Sequence, residues 1–408
     1  MRILIAAGGT GGHVYPALAV AQSLRERAPD TEFRWLGGHR GLESTICPPE
    51  GYEVELLALR SLRTVDLSRH TVLDPVRLAA SYPQALAKLA RRRPDAVFTT
   101  GGYLAIPVVA AAATLRIPSV MWEGNLVAGR SVRATARLAG VLAVSFAETC
   151  AQLPGRCFVT GTPIRSFAGR DRTSARAALG LDADTPALLV FGGSQAVRRL
   201  NRAVAEALPS LVEKAYVVHL TGEPAYAEAL KRRESLPIEH RSRYRPYPFL
   251  RTEMADALLA SDLLVGRAGS STLAEASAVG LPMVVVPYPH ASAHQIANAR
   301  ALAAAGAARI VPDEEFDAAA LRDAARLLED EAAIGEMRSA ARAFGRPGAA
   351  AALAELVLAL GERAALPAQA TIERMSRASD DRGPAEGREA VDERAAAAVR
   401  PPGAGRSA

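Results

Sequence analysis

Cysteine is scarce in this 408-residue chain: it occurs only at positions 47, 150 and 157, and no pair has CxxC spacing. Such an odd, scattered set predicts reduced thiols in a cytosolic protein and speaks against a disulfide framework or a zinc site. Aromatic residues make up only 5%. No basic segment interleaves with them, and no helix-turn-helix or finger spacing occurs, so nucleic acid is not an expected partner. Long hydrophobic runs are missing too. A membrane span needs about 20 apolar residues, whereas the best stretch, Ala105–Leu115, contains Pro107 and stops at Arg116. The chain enters a strand pattern at once (Met1-Arg2-Ile3-Leu4-Ile5), unlike a signal peptide. Lys-Ser/Thr follows none of the glycine clusters, which excludes a P-loop. Gly9-Thr10-Gly11-Gly12-His13-Val14 does not fit GxGxxG, and the strand Glu32–Leu36 ends at Gly37-Gly38 without a ribose-binding acid, so NAD is disfavoured.

What is present describes a globular chain, with 49% hydrophobic and 23% charged residues. Its net charge of +6 is unevenly spread: residues 1–165 carry +7, residues 166–366 carry −1, and residues 367–408 are neutral. These boundaries also divide the chain by pattern into two α/β domains and a tail. The last helix of the second domain is free to pack back on the first. The tail has few branched apolar residues (Ile372, Val391, Val399) and is expected to be disordered. Part of the positive charge forms a band, with Arg60, Arg63, Arg69, Arg77, Lys88 and Arg91-Arg92-Arg93 set among leucines and valines. It reads either as a solvated helix face or as a surface resting on an anionic membrane.

The chain repeats itself in outline. Arg2–Ala7 leads into Gly8-Gly9-Thr10-Gly11-Gly12 and a helix with Ala17, Val20, Ala21 and Leu24 on one face; Ala187–Phe191 leads into Gly192-Gly193-Ser194-Gln195 and another helix. Asp95–Phe98 with Gly101-Gly102 is likewise matched by Asp262–Val265 with Gly269. Near-continuous apolar strands alternating with helices predict parallel sheets, hence two such domains facing each other across a cleft. The connection falls in Thr160–Arg172.

A glycine turn between a buried strand and a helix lets backbone approach a phosphate at the helix N-terminus. Four such turns at strand carboxyl ends, where open α/β sheets bind ligands, point to a phosphorylated ligand. His13 lies in the first helical turn beside the glycines, where the helix N-terminus keeps it neutral and able to accept a proton. Glu123 and Asn125 follow the strand Ser119–Trp122. Glu275 is placed to reach a sugar diol, and His294, Gln295 and Asn298 offer groups suited to sugar hydroxyls. No metal is expected: His290 and His294 have helical spacing, but no Glu stands between them and Pro289 adjoins.

Taken together these segments resemble the MurG family of glycosyltransferases. The resemblance runs from Arg2 to about residue 360, on Gly8–Ala19, Gly101-Gly102-Tyr103, Gly192-Gly193-Ser194-Gln195, Arg267–Glu275 and His294–Ala299. It implies the GT-B fold, two Rossmann-like domains with an interdomain cleft, and no cofactor. It further implies inverting transfer of GlcNAc from UDP-GlcNAc to the C4 hydroxyl of undecaprenyl-diphosphate-MurNAc-pentapeptide (lipid I) in peptidoglycan synthesis. The enzyme would sit on the cytoplasmic face of the cell membrane, against its anionic inner leaflet, with cell-wall synthesis or division proteins as further partners. Carried over by position, His13 and Glu123 are the candidate bases. Ser194 and Gln195 would touch the diphosphate, with Arg165 and Arg267 adding charge, Glu275 would bind ribose, and backbone at Leu250 would read uracil. Ser270, Ser271, His294, Gln295 and Asn125 would surround GlcNAc. Gly9–Gly12 with Gly101, Gly102 and Tyr103 would hold the acceptor diphosphate, Thr10, Gly11 and Gly12 reaching the donor as well. The family commonly has His-Glu-Gln-Asn at Trp122-Glu123-Gly124-Asn125, Gly-Asn-Pro at Gly161-Thr162-Pro163, and glycine at Ala196, which puts acceptor positioning near Gly124 in question. A GT-B enzyme with another acceptor, or a UDP-GlcNAc 2-epimerase, are the alternatives.

Overall fold

In a computed structural model, residues 1–39, 41–59, 69–192, 198–289 and 294–378 are described, with backbone alone for 69–75. Their strands form two wholly parallel sheets. The first contains β1 (Arg2–Ala6), β2 (Glu32–Gly38), β3 (Val54–Leu57), β4 (Ala96–Thr99), β5 (Ser119–Glu123), β6 (Val141–Val144) and β7 (Cys157–Val159), in the order β3-β2-β1-β4-β5-β6-β7. The second contains β8 (Ala187–Phe191), β9 (Tyr216–Leu220), β10 (Tyr244–Tyr247), β11 (Leu263–Gly266), β12 (Met283–Val285) and β13 (Ala308–Ile310), in the order β10-β9-β8-β11-β12-β13. Each order reverses beside its first strand, between β1 and β4 and between β8 and β11. The glycine turns leave those four strands, so each pair opens onto a topological switch point.

The strands are apolar throughout because helices cover both faces. On one face of the first sheet Ile3, Ile5 and Phe98 pack with Val20 and Leu24 of the helix Gly11–Arg27; on the other, Leu4 and Val97 pack with Leu104 and Val108 of Gly102–Thr114. In the second sheet, Leu189 and Val285 face Leu273 and Leu302, while Val190 and Val265 face Val204 and Leu208.

The carboxyl-terminal helices depart from the expected tail. Ala349–Gly361 lies on the first sheet, where Leu353, Leu356 and Val357 join the core of Ile3 and Trp35. The longer stretch Glu331–Gly361 contains an 18-residue window apolar enough to cross a membrane, with mean hydropathy 1.4 and half of that window buried. It comprises two helices, Glu331–Phe344 and Ala349–Gly361, and the second spends its apolar face on this core. The chain then continues, ordered, past residue 366. Gln369–Arg377 is a helix packed on Ala349–Gly361 and β7, with Ile372 fully buried. The amide of Val159 donates to Gln369 Oε1 at 3.3 Å, and Arg346 donates to Ser376 Oγ at 2.9 Å. Expected disorder from residue 367 is thus corrected as far as Ala378. Composition counts the residues able to found a core, whereas this helix needs only enough apolar surface to lean on one already built. Residues 379–408 lie outside the described set.

The cysteine expectation is corrected as well. Cys150 ends the short helix Ala147–Cys150, Cys157 opens β7, and the return between them brings the two into a disulfide. Cys47 alone is free, and it is buried.

Candidate active site

The turns after β1 and β4 are locked to each other. His13 Nδ1 donates to the Thr100 carbonyl at 2.8 Å, and Thr100 Oγ1 donates to the His13 carbonyl at 3.1 Å. Because a carbonyl only accepts, Nδ1 carries the proton and Nε2 carries the lone pair. Nε2 lies beside Gly102, 3.3 Å from where a Cβ there would stand. Burial pulls the His13 pKa below the usual imidazole value, against the Thr100 bond and the charges of Glu123 and Glu43, which raise it. The ring, with its pKa lowered, lies between two helix N-termini. Gly11 and Gly12 open one of those helices and Gly102 and Tyr103 the other, so their N–H groups have no intrahelical acceptor. Gly9, at φ +95°, lies under Tyr103: a Cβ there would stand 2.9 Å from the ring. The Tyr103 hydroxyl is buried without a partner among the described residues, and burial raises its pKa.

Sequence reasoning missed the group beneath this platform. Glu43 is fully buried, accepting from Gly38 N at 2.6 Å and from Gly9 N at 2.8 Å. A Cβ at Gly8, Gly37 or Gly41 would collide with its carboxylate. Part of the glycine-rich pattern therefore makes room for an internal acid, not for a ligand. The one signal was an acid closely preceded by Gly37-Gly38 and Gly41.

Glu123, the other candidate base, is committed to backbone. Its Oε1 accepts from the amide and the side chain of Asn125, both at 2.9 Å, and its Oε2 accepts from Gly129 N at 2.7 Å. The loop it anchors is also gripped by Thr149 and Gln152, which donate to the Leu126 carbonyl at 2.9 and 2.7 Å. Asn298 reaches this loop from the second sheet's side. It accepts from Leu126 N at 3.0 Å and donates to Asn125 Oδ1 at 3.1 Å. Two departures from the family pattern prove to be one: a Cβ at Gly124 would fall 2.5 Å from the Trp122 ring, whose Nε1 donates to Gly161 O at 3.0 Å. The large indole requires the glycine. Ser270 Oγ lies 3.1 Å from that same Cβ position, so the two halves meet here.

On the second sheet, Ser271 Oγ and His294 Nδ1 are buried without partners among the described residues, as groups awaiting a ligand would be. Gln295 Oε1 instead accepts from Tyr288 N at 2.9 Å. Glu275 is nearly buried and pairs through Oε1 with Arg165 Nε at 2.7 Å; Arg165 also donates to the Arg251 carbonyl and lies 5.9 Å from the Tyr15 ring centre. Arg267 is buried against Asp313 and the Val286 carbonyl, so its charge is already matched. Leu250 is buried beside an exposed Phe249. Ser194 and Gln195, with Gly193, Ala196 and His290, lie outside the described residues. Among the described residues no group of three or more His, Cys, Asp or Glu could hold a metal ion.

Two parallel sheets of Rossmann order, with unsatisfied helix N-termini and buried polar groups at their facing edges, define a two-domain glycosyltransferase of the GT-B form. The glycosyltransferase family 28 N-terminal domain matches residues 3–143 and the family 28 C-terminal domain matches residues 187–353. A UDP-N-acetylglucosamine–N-acetylmuramyl-(pentapeptide) pyrophosphoryl-undecaprenol N-acetylglucosamine transferase of Limosilactobacillus fermentum is 36% identical over 355 residues, covering 86% of this chain and 95% of its own. The protein of that name from Chlorobaculum tepidum is 37% identical over 369 residues, covering 89% and 100%. The crystal structure of Acinetobacter baumannii MurG superposes with a TM-score of 0.68 at 27% identity, covering 88% of this chain and 99% of that one. The chain belongs to the MurG family of UDP-N-acetylglucosamine-dependent transferases.

Proposed function

We propose that the protein transfers GlcNAc from UDP-GlcNAc to the C4 hydroxyl of undecaprenyl-diphosphate-MurNAc-pentapeptide, the step that makes lipid II for peptidoglycan. The observation that carries the chemistry is the fixed tautomer of His13, whose Nε2 stands ready as a base between two anion-binding helix starts. In this reading the acceptor diphosphate rests on the N–H groups of Gly11, Gly12, Gly102 and Tyr103. The C4 oxygen attacks the anomeric carbon of GlcNAc and its proton passes to His13 Nε2. The bond from that carbon to the β-phosphate oxygen breaks, and UDP leaves with the electron pair. The start of the helix Ser270–Val279 supports the departing charge, a preorganised form of stabilisation. Ser271 and His294 address the sugar, and Glu275 keeps Oε2 for the ribose hydroxyls while Oε1 holds Arg165.

The basic band supports docking on an anionic membrane. Val76 is exposed next to Arg77 on the helix Arg69–Arg91, and Arg91, Arg92 and Arg93 are exposed at its end. Lys88 is spent differently, paired at 2.8 Å with Glu55, which also holds Arg34. Arg60 and Arg63 lie outside the described residues, as does the side chain of Arg69.

The test is transfer from radiolabelled UDP-GlcNAc to a short-chain lipid I analogue, with EDTA present. Labelled disaccharide lipid is expected. Its absence overturns the reading, and epimerised sugar from UDP-GlcNAc alone would replace it with an epimerase.

A further inference from the structure

Glu43 is costly where it stands. A carboxylate without exposure is destabilising unless its charge is answered, and among the described residues no lysine or arginine is paired with it. Two backbone N–H groups answer it instead, one from each of two segments: Gly38 at the end of β2 and Gly9 in the turn after β1. Room for it costs side chains at Gly8, Gly37 and Gly41. A leucine in the same space would strand both N–H groups, so packing alone does not account for an acid here.

The effect on the turn does. Drawing the Gly9 N–H inward fixes the peptide plane between Gly8 and Gly9. The Gly9 carbonyl is then met by Leu42 N at 3.4 Å, and the backbone passes Gly9 at φ +95° into the helix that starts at Gly11. The inward bond removes Gly9 N–H from any ligand and leaves those of Gly11 and Gly12 for the crevice. Two N–H groups taken by one rigid carboxylate thus set the position of the next two, and of His13 beyond them.

We infer that Glu43 is a positioning residue for the acceptor, holding the turn Gly8–Gly12 from below so that its outward N–H groups and His13 meet the diphosphate-linked sugar. This rests on the acceptor reading above. It excludes a direct role for the Gly9 N–H in binding.

The test uses the full chain with Glu43→Gln, whose amide presents a donor to one of the two N–H groups. Gly37→Ala is the second variant; its Cβ would stand 2.5 Å from Glu43 Cγ and so displaces that side chain. Both are expected to raise KM for the lipid acceptor analogue tenfold or more, with KM and Kd for UDP-GlcNAc changed less than twofold. An acceptor KM within twofold of the parent in either variant that still binds UDP-GlcNAc overturns the proposal. So does loss of UDP-GlcNAc binding in both, which would make Glu43 a support of the whole fold. Failure of the parent protein to transfer at all defeats the acceptor reading itself, a distinct result.

Discussion

His13 and Thr100 bind each other twice, ring nitrogen to carbonyl at 2.8 Å and hydroxyl to carbonyl at 3.1 Å, across 87 residues of sequence. The pair makes one rigid unit of two turns that leave adjacent strands, and it decides which imidazole nitrogen faces the cleft. Replacing His13 by Ala removes the base and should lower kcat by about 10²–10⁴-fold, with UDP-GlcNAc binding by calorimetry unchanged. Burial lowers the pKa of this group, so the active neutral form persists below pH 6.5. The acid limb of kcat/KM for the acceptor should therefore lie below 6.5. The sign for stability agrees: the unfolded chain takes up the proton first, so stability contributed by neutral His13 declines as pH falls below the unfolded value of about 6.5. An acid limb at or above 7 would remove His13 from the base role.

Glu123 makes the opposite case. With both oxygens bound to N–H groups of the loop that follows it, its loss should disturb position and not proton transfer. Glu123→Gln leaves at least one of those N–H groups facing an amide N–H, an unmade buried bond worth about 1–3 kcal/mol. Activity should fall about 5–150-fold by that arithmetic, while the acid limb of the pH profile keeps its place. A profile that loses its acid limb in this variant would return Glu123 to the role of base.

The periodic features of this chain were legible in its sequence. Apolar strands, glycine turns and the doubled pattern are local signals, and they gave two parallel sheets and located the turns flanking the cleft. Bonds across distance were not legible. Glu43 meets Gly9 34 residues away, and nothing at either position announces the other. Glu123 stood at the right end of the right strand, but position does not reveal what a carboxylate is already bonded to. Arg267 was carried over to the diphosphate by position, and position does not reveal its pairing with Asp313, 46 residues on. Cys150 and Cys157 join because a helix turns back into a strand, a geometry that spacing rules do not contain.

Asn298 joins the two halves of the site with one side chain, accepting from Leu126 N and donating to Asn125 Oδ1. Asn298→Ala strands a backbone N–H in a part-buried position, at a cost of about 1–3 kcal/mol. That cost falls on the contact between the halves, since each core is complete without it. The expected result is a several-fold rise in KM for UDP-GlcNAc and a fall in kcat. The unfolding midpoint of the first domain, followed by tryptophan fluorescence from Trp35 and Trp122, should move little. An unchanged KM would show that this bridge plays no part in closing the cleft over the donor.

Ile372 tests how far the folded chain extends. It is fully buried beside Ala349–Gly361, in the core that contains Ile3, Val20 and Leu24, although it lies more than 340 residues from that last leucine. Ile→Ala at such a site removes transfer free energy and leaves a cavity, together about 2–5 kcal/mol. Ile372→Ala should therefore lower the denaturant midpoint of the first domain, and a chain ending at residue 366 should lower it further, by uncovering the face of Ala349–Gly361 that Gln369–Arg377 protects. The second sheet keeps its own core, so UDP-GlcNAc binding should survive in the point variant. Were residues 367–378 a solvated extension, neither change would move the midpoint, and the helix Gln369–Arg377 would be no part of the domain.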